Sequence, residues 1–270
     1  MSFSETKYLL QKHQILPNKL LGQNFMVAPS AFEKMSDYAS LQETDTVLDV
    51  GSGFGFLTRY LSERCRKVLA VEKDKRFVSV LREQLSGLNN VQIIDGDVLT
   101  VPIPTFNKVV SFPPYQISSH LLLWLYDRTF ECAVLVFQKE FANRLIASVG
   151  TEDYSWLTVL THYNAQIELL DAMPKHMFFP QPEVDSVIVR LTKRNLLFAK
   201  NQILFKQMLR YLFTGRNKKV ANALAPFLKS KLGISAEKIE RIVTSIPFRD
   251  KRVRTLFPED FGTLANALLT

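Results

Sequence analysis

Residues 47–58 read VLDVGSGFGFLT, a run of branched apolar side chains that breaks into three glycines within five positions, Gly51, Gly53 and Gly55. Strand, tight turn and helix in that order leave free backbone amides at the helix start facing the turn. Glycine there permits positive φ and close approach of a ligand to the main chain. About twenty residues on, the strand-like KVLAVE ends on Glu72, where a carboxylate can accept both hydroxyls of a ribose. A third apolar segment, within Asn90–Leu99, runs into Asp95-Gly96-Asp97, and a carboxylate at Asp97 can accept the exocyclic amine of an adenine. A lone Asp after a strand is usually a turn residue, and G-x-G-x-G alone is weak. Three such features at successive strand ends converge on one nucleoside. The glycine spacing is not G-x-G-x-x-G and no phosphate-cradling Lys follows the turn, so the set favours S-adenosyl-L-methionine (SAM) over a dinucleotide or a nucleoside triphosphate.

A fourth strand, Lys108–Ser111, leads directly into Phe112-Pro113-Pro114-Tyr115. Two prolines stiffen this connection and remove two backbone donors, leaving carbonyls to face a ligand. An exposed Tyr115 can stack a flipped base; the alternative is a stiffened loop with a core tyrosine. In LGQNFMV, Leu21–Val27, the amides of Gln23 and Asn24 either satisfy local backbone groups or form a flap over a polar ligand, and spacing alone favours the first.

To hold these groups together the chain needs an α/β fold, a Rossmann-like SAM-binding sheet with ligand groups at the carboxyl ends of its strands. Ser4–Lys19 reads as weakly helical, Ser30 as the N-cap of a helix with Glu33 as its capping-box partner, and Leu57–Glu63 and Lys75–Leu85 as helices. Cys132–Gln138 reads as a fifth strand, Lys139–Ala147 as a helix, and Leu157–Leu170 and Ser186–Leu191 as strand-like segments that complete the sheet. From Leu196 the apolar period becomes 3.6, through Ile203, Phe205, Met208, Leu209, Leu212 and Phe213, which indicates a small helical bundle. Two domains are therefore expected, 1–192 binding SAM and performing catalysis, and 193–270 helical, basic and RNA-binding.

The net charge of +8 is unevenly placed. From Arg190 onward there are 17 Lys and Arg against five Asp and Glu, a balance of +12, which leaves −4 for the first 189 residues. Such asymmetry suggests a polyanion partner, most plausibly nucleic acid, met mainly through the C-terminal part, where Arg210, Arg216, Lys218 and Lys219 cluster. Cys65 and Cys132 stand in no redox or metal-ligand spacing, so a reducing, cytoplasmic setting and no metal site are expected. No apolar run approaches the ~18 residues of a membrane helix, and the first residues carry no apolar core of a secretory signal.

With these residues in hand, the chain resembles the ribosomal RNA adenine dimethyltransferase family (KsgA type) over nearly its whole length. LGQNFMV resembles that family's N-terminal cofactor loop, VLDVGSGFGFLT its glycine motif, AVEKD its ribose-binding acid and GDVL its adenine-binding acid. FFPQPEVDSVIVRL resembles its F-x-P-x-P-x-V-D-S segment, and RVRTLFPEDFGTLANAL the C-terminal helices of the small-subunit enzymes rather than the erythromycin-resistance methylases. The resemblance implies N6,N6-dimethylation of two adjacent adenosines near the 3′ end of small-subunit rRNA, on an immature small ribosomal subunit, by a monomer. It implies that Gln23, Asn24, Met26, Gly51, Gly53, Glu72, Lys73, Asp97, Val98 and Phe112 hold SAM. Phe112, Pro113, Pro114, Tyr115 and Phe179 would form the target-adenine site, with Tyr115 and Phe179 stacking the base, and Arg216, Lys218, Lys219 and Arg252 would meet RNA. One departure matters: the family motif reads Asn-Leu-Pro-Tyr, and here Phe112 has no acceptor where the family has an amide oxygen. The Pro113 carbonyl or the adjacent Ser111 could substitute. A lost positioning hydrogen bond of this kind costs about 2–4 kcal/mol by analogy with oxyanion donors, so the alternative expectation is an rRNA-binding assembly factor with reduced or altered methylation.

Overall fold

The buried, branched-apolar runs become the centre of a sheet. In the computed structural model, which describes residues 3–18, 22–194 and 199–269, helix α1 (Phe3–Lys12), the two-residue strand β1 (Phe25–Met26) and α2 (Ser30–Tyr38) precede a strand–helix alternation. This runs β2 (Thr46–Val50), α3 (Phe56–Ser62), β3 (Lys67–Glu72), α4 (Lys75–Gln84), β4 (Val91–Asp95), β5 (Lys108–Ser111), α5 (Ser118–Tyr126), β6 (Cys132–Gln138) and α6 (Lys139–Leu145). Then follow α7 (Trp156–Asn164), β7 (Ala165–Met173), β8 (Phe178–Phe179) and β9 (Ser186–Lys193). Lys19, Leu21, Asn195 and Leu196, on which parts of the sequence reading fall, lie outside the described residues.

Seven strands pair in the order β4-β3-β2-β5-β6-β9-β7, and among the described residues β8 pairs only with β1. Strands β4, β3, β2, β5 and β6 are parallel, while β9 runs antiparallel to β6. All five residues of β2 are buried, as expected of a strand covered on both faces. The chain winds outward from β2 through β3 to β4 and returns to β5 on the other side of β2. The switch point therefore lies between β2 and β5, where open sheets place ligands beyond the strands' carboxyl ends.

Residues up to Ala142 together with Ile167–Lys193 form one compact unit, and Asn143–Gln166 with the chain from Arg194 form another. The break at 193/194 lies one residue from the sequence boundary, but the second unit also takes up 143–166. Within it α8 (Gln202–Thr214), α9 (Val220–Leu232), α10 (Ala236–Ser245) and α11 (Pro258–Ala267) join α7. The 3.6-residue stripe of α8, Leu204, Phe205, Met208, Leu209 and Leu212, is buried. Tyr154 anchors the same core, its ring 5.7 Å from that of Phe213 and its hydroxyl donating to the Leu256 carbonyl at 2.8 Å.

Two local expectations differ from the structure, and one helix had no counterpart among them. Leu157–Leu170 is not one strand: α7 occupies its first half and β7 starts only at Ala165. Residues 157–161 are buried in an unbroken run, so neither period shows, and tertiary packing overrides the β preference of Thr158, Val159 and Thr161. The Ser155 amide donates to Thr158 Oγ1 at 3.0 Å and starts the helix. Ser30 is not an N-cap; α2 begins on it, with Pro29 in the cap position and no side-chain cap bond. The helix α5 escaped notice because Leu121, Leu122, Trp124, Leu125 and Tyr126 are all buried, leaving no polar face to betray a period.

Candidate active site

The glycine turn ends β2, Glu72 ends β3, Asp97 follows β4 and Phe112 follows β5, so parallel pairing alone brings all four to one edge of the sheet. There they surround a cleft of ≈ 260 Å³. Gln23, Asn24, Gly51, Gly53, Glu72, Lys73, Asp97, Val98 and Phe112 line it together with Pro114 of the expected target-adenine site, and so do residues the sequence did not single out, among them Phe25, Asp74, Gln116 and Ile117. Met26 does not. Its side chain is 5% exposed in the apolar core and lines only a small adjoining hollow with Asn24, Asp49 and Phe112.

The Glu72 carboxylate is buried and pinned by three backbone amides: Gly53 donates to Oε2 at 2.9 Å, and Lys73 and Asp74 each donate to Oε1 at 2.8 Å. Burial pushes its pKa above the usual carboxylate value, against the pull of those amides. Asp97 Oδ1 accepts the Leu99 amide at 3.0 Å and Oδ2 the Lys73 ammonium at 2.9 Å. Desolvation opposes ionisation of Asp97, but the Lys73 and Leu99 bonds outweigh it and hold its pKa low. Gln23 donates to Asp74 Oδ2 at 2.9 Å, tying the amide loop to the end of β3.

These residues fit the adenosine half of SAM. Gly51 and Gly53 hold φ of +75° and +54°, and a Cβ on Gly51 would stand 2.8 Å from Pro114 Cδ, so only glycine lets the turn close under the cleft. Glu72 and Asp97 bring two carboxylates to the same cleft, acceptors of the kind that ribose hydroxyls and an adenine amine need.

Asp49, behind the turn, was not among the expected site residues, although its place two residues before Gly51 marks it. It is 2% exposed, accepts Thr58 Oγ1 at 2.7 Å, and burial raises its pKa to about 6 despite hydrogen bonds from Thr58 and Ser52, with the Glu72 charge adding to the rise. A carboxyl raised in the fold gives stability that is fully present below its unfolded pKa near 4 and lost as pH climbs through about 6. Asp49→Asn is therefore expected to stabilise the protein at pH 8 by up to about 3 kcal/mol, and by much less near pH 4, as read by urea denaturation. Destabilisation that is larger at pH 8 than near pH 4 would mean that the charge is net favourable.

On the β5 side, Tyr115 is half-buried rather than exposed, with its hydroxyl 2.7 Å from Ser186 Oγ. Phe112 turns its ring into an aromatic group, 5.8 Å from Phe32 and edge-on to Phe178 at 6.3 Å. Ser111 cannot supply the missing acceptor: its hydroxyl donates to the Val50 carbonyl at 2.7 Å and accepts the Val50 amide at 3.0 Å. The Pro114 carbonyl is taken by the Ile117 amide at 3.1 Å. Among the described residues the Pro113 carbonyl has no donor. Phe179 does not share this aromatic group. Successive strand residues face opposite ways, so β8 presents Phe178 to Phe112 while Phe179 meets Phe3 on the other side.

In the second unit the backbone brings the distant cations together. The Val253 amide donates to the Lys218 carbonyl and the Arg254 amide to the Arg216 carbonyl, both at 3.0 Å, and Lys219 bridges Arg252. Lys218 and Arg252 are exposed there, Lys219 pairs with Asp250 at 3.1 Å, and the Arg252 guanidinium also donates to the Asn217 carbonyl. Arg216 has a structural task, donating to the carbonyls of Glu152 and Thr151 at 2.5 and 2.6 Å.

A family model described as "Ribosomal RNA adenine dimethylase" matches residues 16–247. A protein named probable ribosomal RNA small subunit methyltransferase A from Pyrococcus abyssi is 41% identical over 94% of this chain and 92% of its own. Among solved structures, a dimethyladenosine transferase from Plasmodium falciparum aligns with a TM-score of 0.77 at 27% identity, covering 89% of this chain and 95% of that one. The 23S rRNA methyltransferase ErmE aligns at 0.64 and 30% identity, covering 92% and 100%. These likenesses support methyl transfer over the alternative of an assembly factor with little catalysis. Two acids lining one cleft and relatives of this closeness lead to one conclusion: the chain belongs to the ribosomal RNA adenine dimethylase family and is a SAM-dependent rRNA adenine methyltransferase.

Proposed function

We propose that the substrate is the rRNA of an immature small ribosomal subunit, in which the protein dimethylates N6 of two adjacent adenosines, working as a cytoplasmic monomer. The observation that carries this is the meeting of Glu72, Asp97 and the Phe112–Tyr115 loop at one sheet edge, beside the name borne by the Pyrococcus abyssi relative. The residues to Lys193 supply the SAM and base sites, and the basic helical part supplies RNA affinity.

Bound in the cleft, SAM would supply an electrophilic methyl group for the N6 lone pair, with S-adenosylhomocysteine as the leaving group and the N6 proton passing to water. The chain's part is placement. Glu72 would take the ribose hydroxyls and Asp97 the adenine amine of SAM, and the Gly51–Gly53 turn would leave room for the ligand beside the backbone. Tyr115, held by Ser186, stacks the target adenine, and Phe112 backed by Phe178 forms the apolar wall beside it. The Pro113 carbonyl is the acceptor left to draw the amine hydrogens and help N6 leave the ring plane.

Offering methyl-labelled SAM to immature small subunits, to naked small-subunit rRNA and to large subunits tests the substrate. Label confined to small-subunit rRNA is expected; label in large-subunit rRNA alone would sink the reading. Lys218→Ala with Lys219→Ala is expected to weaken RNA binding and to flatten its log–log salt dependence by about 0.7–0.9 per lost phosphate contact. Arg216→Ala should instead lower the melting temperature, since Arg216 ties two backbone carbonyls. An unmoved salt slope in the double variant would assign RNA contact to another face.

A further inference from the structure

Strand alternation in the β1/β8 ribbon sorts its aromatic side chains onto two faces. Met26 and Phe178 join the cluster of Phe32 and Phe112, whereas Phe25 and Phe179 face Phe54, Phe77 and α1. On the second face Phe179 is half-buried and meets Phe3 edge-on, ring centroids 5.0 Å apart at 85°. Phe3 itself stays 47% exposed, and Tyr8 on the same helix 61%. The Lys7 ammonium stands 4.4 Å from the centroid of Phe3 and 5.6 Å from that of Phe179. Among the described residues Lys7 meets aromatic rings and no carboxylate.

Anchoring α1 does not require this arrangement. The helix is already fixed by buried Thr6, Leu9 and Leu10 and by the Lys12–Glu83 ion pair at 2.7 Å. Two accessible rings with a cation above them match the chemistry of one unpaired nucleotide, a base offering a π face and a phosphate offering charge. The platform begins one residue from Phe178, so it lies one strand position from the wall of the target-adenine site.

We propose that Phe3, Lys7 and Phe179 form a second nucleotide subsite, which stacks the base flanking the target adenine and pairs its phosphate with Lys7. This rests on the RNA methyltransferase reading and extends it. β8 then reads RNA on both faces, the target through the Phe178 side and its neighbour through Phe179. Two adjacent adenosines can exchange between the two places, which suits a double modification.

The test uses the full-length enzyme and a hairpin RNA with two adjacent loop adenosines, carrying 2-aminopurine beside the target in a second version. Phe3→Ala and Lys7→Gln are expected to raise the KM for RNA about tenfold, with the Kd for SAM unchanged. Wild-type binding should quench 2-aminopurine, and Phe3→Ala should lose the quench. Phe3→Leu, which retains apolar packing on Phe179, should behave as Phe3→Ala, while Phe3→Tyr restores wild-type values. Lys7→Gln should lower the salt slope by about 0.7. If the KM for RNA, the quench and the slope stay at wild-type values in these variants, the subsite is overturned and the cluster only packs α1. A wild-type enzyme that methylates no RNA would instead overturn the underlying reading.

Discussion

Replacing Glu72 with alanine is expected to raise the dissociation constant for SAM at least a hundredfold. Two charge-assisted hydrogen bonds to ribose hydroxyls contribute roughly 1.5–3 kcal/mol each, and a loss of that size corresponds to two decades or more in affinity. The substitution also removes the acceptor of three backbone amides, at Gly53, Lys73 and Asp74, so the turn that cradles the ligand loosens as well. Glu72→Gln should fall between, because its amide nitrogen faces donors at one of the two oxygen positions. Since burial raises the Glu72 pKa, SAM affinity should weaken on acidification sooner than an ordinary carboxylate would allow. Calorimetric titration of SAM at several pH values reads both effects. Alanine binding within threefold of wild type would remove Glu72 from the site.

The second large effect is expected at Phe112. Asparagine there would restore a side-chain acceptor beside the target amine, and turnover should rise by about tenfold or more, given the 2–4 kcal/mol that such positioning bonds command. Stability should move the other way. The ring packs between Phe32 and Phe178, and trading it for a smaller polar group leaves a cavity and an amide against apolar walls, at a cost of about 2–4 kcal/mol. Single-turnover methylation, corrected for the folded fraction, separates the two. A drop in the corrected rate would show that the loop is adapted to phenylalanine, with the Pro113 carbonyl as a sufficient acceptor.

Much of this site was legible because its logic is local. β3, β5 and β6 begin and end where their apolar runs do, since strands covered on both faces must be apolar throughout. The acids at their ends then followed from topology. What escaped notice depended on three-dimensional neighbours. The ribbon of β1 and β8 has two residues per strand, too short for any period. Its parity decides that Phe178 rather than Phe179 adjoins Phe112, although the spacing of F-x-P-x-P-x-V-D-S, which places its first Phe at 178, could have shown it. Charge counting found the basic cluster. Only the backbone pairing of 216–219 with 252–254 separates the exposed Lys218 from Arg216, which is occupied in holding two carbonyls.

Mass spectrometry of nucleosides from immature small subunits, incubated with the protein and SAM, should reveal N6,N6-dimethyladenosine at two adjacent positions of the small-subunit rRNA. Small-subunit rRNA of unchanged mass, with SAM bound and the subunits engaged, would show that the protein binds both without transferring methyl groups.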